Sequence, residues 1–107
     1  MSFVSLSACV RGFSLVLLVT LLTSCAIAPP VQEMSDARQA IAAAKEAGAD
    51  QFAVDQLGRA KRLLQSAEIF LVTGTSNAYW QARKAAIEAK EMAFEALLTS
   101  RKAKTVN

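Results

Sequence analysis

A chain of 107 residues with 12 Lys and Arg, 9 Asp and Glu and no His has room for one small domain, and its slight positive balance is too weak to argue for a nucleic-acid partner. Without His, and with only two Cys, at positions 9 and 25, the commonest general base and the soft metal-ligand sets are missing. A hydrophobic share of 53% would suit an evenly built globular domain, but the apolar residues are instead gathered into one N-terminal run and a later helical period.

The run comes first in the chain. Phe13 to Leu22 reads FSLVLLVTLL, without a charge, after a short segment whose one charged side chain is Arg11. A basic start, an apolar stretch too short to span a bilayer comfortably and a small-residue exit describe a secretory signal helix rather than a membrane anchor, so residues 1–24 are set aside from the fold. Leu22-Thr23-Ser24-Cys25 then resembles the lipobox of exported bacterial lipoproteins. That resemblance implies cleavage between Ser24 and Cys25, diacylglycerol on the Cys25 thiol and an N-acyl chain, palmitate for example, on its new amine. Two or three acyl chains, at about 0.8 kcal/mol per buried methylene, hold a protein on its membrane essentially permanently. A Cys9–Cys25 disulfide is excluded because Cys9 leaves with the signal. The residue after Cys25 is Ala26 and not Asp; the class rule of Gram-negative lipoproteins then implies the outer membrane, with the domain facing the periplasm.

Residues 25–35 are expected to form the lipidated start and an extended tether, because Pro29 and Pro30 interrupt any helical period there. Ten such residues would lift the domain by about 30 Å at most. The domain itself is expected over 36–104, with 105–107 as a tail. From Asp36 onward the chain lacks Pro and is dense in Ala, Lys, Glu, Arg and Leu, which predicts helices at about 34–47, 50–72 and 76–104. Gly48 and Gly74 read as stops, followed by Asp50 and by Thr75 or Ser76 as starts.

The expected fold is all-α. It is a short three-helix bundle dominated by an antiparallel Ala/Leu hairpin, preceded by the signal helix and the Pro-containing tether. In the second helix Ala53, Leu57, Ala60, Leu64, Ala67 and Leu71 form a seam, widened by Phe52, Leu63 and Phe70; in the third, Ala78, Ala82, Ala85, Ala89, Met92 and Ala96 step in the same way. The first helix, with Ala37, Ala40, Ile41, Ala44 and Ala47, is expected to pack into the side groove near Phe52 and Leu63.

The third helix carries a second apolar line. Trp80, Ile87, Phe94 and Leu98 fall opposite its Ala seam over about 27 Å at ~1.5 Å per residue. The first helix, another copy of the chain or a partner covers that line, which makes it either core or the contact face for an envelope protein or a homo-oligomer. Tyr79-Trp80, in the first turn, reads more readily as packing than as a stacking platform. Arg83, Lys90, Arg101, Lys102 and Lys104 offer an alternative use of this helix, binding peptidoglycan or an anionic lipid surface. The Arg101–Lys104 end also complements the helix dipole without any ligand.

No catalytic residue, metal site, nucleic-acid surface or small-molecule substrate is expected, and no cofactor beyond the covalent lipid on Cys25. Glu88, Glu91 and Glu95 lie on a polar arc beside cations, and neither a phosphate loop nor a nucleophile elbow occurs. The runs SDARQAIAAAKEAGADQFAVDQLGRAKRLLQSAE and YWQARKAAIEAKEMAFEA resemble the small alanine-rich domain of unknown function, of the 4398 type, found in bacterial envelope lipoproteins. The resemblance covers about 36–96. Some members place this domain ahead of an OmpA-like wall-binding domain, and wall binding by that route is not expected here. The resemblance transfers no catalytic or ligand residues.

Overall fold

A computed structural model describes residues 28–106. The signal segment, Ser24, Cys25 and the first residues of the tether lie outside the described residues. Four helices follow one another: α1 Val31–Glu46, α2 Ala49–Phe52, α3 Val54–Thr73 and α4 Ser76–Val106. The all-α bundle of three long helices is thus present, with α2 as a single extra turn.

Residues 31–35 are helical, so the tether expected through Ser35 ends at Pro30. Pro30 caps α1, its carbonyl accepting the Met34 amide at 3.2 Å, and Glu33 sits in the first turn. A Pro just ahead of a helix with an acid in its first turn starts the helix rather than delaying it, because the ring presets φ and the carboxylate faces the positive end of the dipole. At the other end of the chain, α4 runs through Val106, so 105–106 continue the helix rather than forming a tail.

The breaks follow from backbone hydrogen bonding. α1 stops at Ala47, whose amide bonds the Ala43 carbonyl at 3.0 Å, while Gly48 turns left-handed at φ 94° and donates to Lys45 at 3.0 Å. The Gly48 carbonyl then accepts from Gln51 and Phe52 at 3.0 and 3.1 Å and starts α2. Asp50, the expected cap, makes no capping bond; it lies inside the turn that Gly48 begins. Ala53, at φ −147°, separates α2 from α3, a break that the seam through the predicted second helix does not reveal. Gly74 closes α3 at φ 74°, and Thr75 caps α4 as expected, its Oγ1 accepting the Ala78 amide at 3.1 Å.

The core is built of alanines. Ala60, Ala67, Ala82, Ala86, Ala89, Ala93 and Ala96 are fully enclosed, and Met34 is the largest fully buried side chain. Small residues let backbones approach closely, so each helix contributes a narrow seam and little apolar bulk. α3 runs antiparallel to α4 along the predicted seams. α1 lies parallel to α4, with Ala40, Ile41 and Ala44 clustered with Ala93, Ala96 and Leu97, and Met34 with Ala82, Ala85 and Ala86.

The expected seat of α1 near Leu63 is therefore corrected. Leu63 and Phe70 line a groove with Gln81, Lys84 and Ala85 on the opposite flank of α4. The reason is the breadth of the α4 stripe. Ala86, Ala93 and Leu97 give it a second small-residue flank beside the predicted seam, and α1 occupies it.

Candidate functional site

α4 carries both candidate surfaces, and its inner side is consumed by the bundle. Trp80 is 69% exposed, Ile87 39%, Phe94 48% and Leu98 55%. The line opposite the Ala seam is therefore not intramolecular core, because α1 packs beside it and not over it. Trp80 does not pack into the bundle either, contrary to the packing role expected of it. It lies against Arg83, whose guanidinium carbon is 6.0 Å from the ring centroid, within the range of a cation–π contact. Trp80 and Ile87 border an open depression formed with Gln81, Arg83, Lys84 and Glu88, all on α4. Phe94 borders a second one, where α1 contributes Asp36, Gln39, Ala40 and Ala43.

The five cations proposed for an anionic surface are not brought together. Arg83 Nε donates to Glu33 Oε1 at 2.9 Å in a half-buried ion pair, and Arg83 Nη2 donates to the Ala28 carbonyl at 3.3 Å. Its charge is spent on fixing the start of α1 to α4. Lys90 is half-buried and shares the α1–α4 groove with Asp36. Arg101, Lys102 and Lys104 are exposed about 27 to 32 Å from Arg83 along the helix at ~1.5 Å per residue. The Lys104 stem lies over Gly48, with Cε 3.1 Å from the position a Cβ would take there. One cation is thus a structural tie, one lines a groove and three form a distal tip.

Sequence reasoning missed Glu33 and Met34. Both fall in the segment assigned to the tether, Met34 also at the edge of the expected first helix but outside its predicted stripe, and the Pro-then-acid helix start is the signal that finds them. It also missed Ser100, fully buried, whose Oγ donates to the Ala96 carbonyl at 2.8 Å and so is satisfied within its own helix. A second ion pair, Arg38 to Glu68 at 3.1 Å, ties α1 to α3 in the open, where such a pair contributes at most about 1 kcal/mol.

Among the described residues no helix is long and apolar enough to cross a membrane, and no three His, Cys, Asp or Glu side chains gather as metal ligands.

Comparison with known proteins adds one finding. The family model described as Domain of unknown function (DUF4398) matches residues 32–106, which is most of the chain and all of the long helices except the first residue of α1. No curated protein and no solved structure matches.

Proposed function

We propose that this chain, which belongs to the DUF4398 family, is an envelope lipoprotein held on the outer membrane by acyl chains on Cys25. Its helical body serves as a structural element or adaptor in the periplasm. The contact surface is the outer line of α4, Trp80, Ile87, Phe94 and Leu98, which engages another envelope protein or a second copy of the chain. The observation that carries this reading is the continued exposure of that line after all three long helices have satisfied their small-residue seams. Large apolar side chains in line on one helix, rimmed by Lys84, Glu91 and Lys102, have the make-up of an apolar interface core with a polar rim. The lipobox sequence supports the anchor.

The test joins folding to association. The Ile87→Lys, Phe94→Lys double variant is expected to keep its helical circular dichroism and to melt close to the parent, since neither side chain is enclosed. It is expected to lose self-association in sedimentation, or to lose crosslinks formed in cells from a photoreactive residue at 94. Unchanged association would contradict the assignment, as would crosslinks in cells that the double variant retains.

A further inference from the structure

The ends of the bundle differ in a way that neither helix face shows. The start of α1, the end of α3 and the start of α4 lie together, fastened by Arg83 to Glu33 and to the Ala28 carbonyl. Met34, Ala67 and Ala82 meet one turn further in. The two described stretches that build this end, residues 28–32 and 69–82, contain no charged residue. Their side chains nonetheless include Val31, Ile69, Phe70, Val72 and Trp80, all exposed. At the opposite end, around Gly48 and the last turns of α4, lie Lys45, Glu46, Asp50, Arg101, Lys102 and Lys104, all exposed.

Cys25 stands three residues before Ala28, and three residues of chain span at most about 11 Å. A lipid on Cys25 therefore keeps the bilayer beside the uncharged end and away from the charged one. An end whose turns carry no charge and whose nearest charges, Arg83 with Glu33 and Glu68 with Arg38, are paired, with aliphatic side chains, hydroxyls and Asn77 and an aromatic pair at its edge, matches the bilayer interface, where Trp and Tyr settle and where unpaired charge is costly to desolvate. The geometry points to this end, Val31, Ile69, Phe70, Val72 and Trp80, as a second membrane contact that seats the bundle end-on on the surface of its own bilayer. The inference rests on the acylation of Cys25. It removes Trp80 from the partner face and assigns it to lipid, leaving Ile87, Phe94 and Leu98 standing clear of the membrane.

The chain contains one Trp, so its fluorescence reads this end alone. The mature acylated protein, purified from membranes, is reconstituted on phosphatidylcholine vesicles with brominated acyl chains, and the vesicles are recovered by flotation. Trp80 emission is expected to be blue-shifted and largely lost to bromine quenching. In the Trp80→Phe, Phe94→Trp variant the indole moves about 21 Å along α4 at ~1.5 Å per residue, and its emission is expected to stay red-shifted and unquenched. Protein that floats with an unquenched Trp80 would overturn the seat while leaving the anchor standing. Equal quenching at both positions would overturn it too, since the bundle would then lie flat. Protein that fails to float overturns the anchor, and the seat with it.

Discussion

Gly48 and Gly58 look alike in the sequence and carry opposite loads. Gly48 holds φ 94°, and a Cβ there would meet Lys104 Cε at 3.1 Å and Phe52 Cδ2 at 3.2 Å. Gly58 is inside α3, where a Cβ would meet only the mobile guanidinium of Arg62, at 3.3 Å. Gly48→Ala is expected to cost about 1–2 kcal/mol, because a side chain in the left-handed region crowds its own backbone. Gly58→Ala is expected to gain about 0.5–1 kcal/mol from reduced chain entropy in the unfolded state. Thermal melts of the two variants should move in opposite directions. At this scale Glu33 and Met34 were within reach of the sequence through the Pro-then-acid helix start. The Arg83–Glu33 pairing was not, because it joins residues 50 apart and depends on which flank of α4 receives α1.

Periodicity is a good guide to which side of a helix is buried and a poor guide to which neighbour buries it. Of the predicted seam, Ala53, Leu57, Ala60 and Ala67 are buried and Leu64 and Leu71 pack against them partly buried, and the α3–α4 hairpin follows from it. The position of α1 was not legible, because an alanine flank has no shape or size to mark it as a docking surface. Ala86 and Ala93 look in the sequence like any helix-forming filler. The break at Ala53 was hidden for a related reason, since a four-residue turn ahead of a helix keeps nearly the same apolar spacing. An Ala seam leaves no slack, so adjacent positions should respond very differently. Ala93 is fully enclosed and Phe94 is 48% exposed. Ala93→Leu is expected to cost about 1–3 kcal/mol by forcing α1 and α4 apart, whereas Phe94→Ala should stay within about 0.5 kcal/mol of the parent. Chemical denaturation of both variants reads the contrast directly.

At the scale of the whole molecule, residues 28–106 form a short helical post with two unlike ends and an unpartnered side. Among the described residues no fully buried side chain is larger than Met34, so the apolar area each residue removes from water is small and the fold relies on tight backbone approach instead. Such a body is better suited to holding position than to enclosing a ligand. Arg101, Lys102 and Lys104 lie at the end of the bundle opposite Ala28, which makes them poor candidates for gripping lipid at the anchor we propose on Cys25. The anchor we propose on Cys25 would decide which end of the post meets lipid and which side is left for a partner. The most direct test is metabolic labelling with an alkyne-bearing fatty acid in a host whose own lipoproteins take up the label, comparing the parent chain with Cys25→Ala. The account predicts that the parent is labelled and fractionates with the outer membrane, and that the variant loses both properties. A parent chain that stays unlabelled while the host lipoproteins are labelled would contradict it.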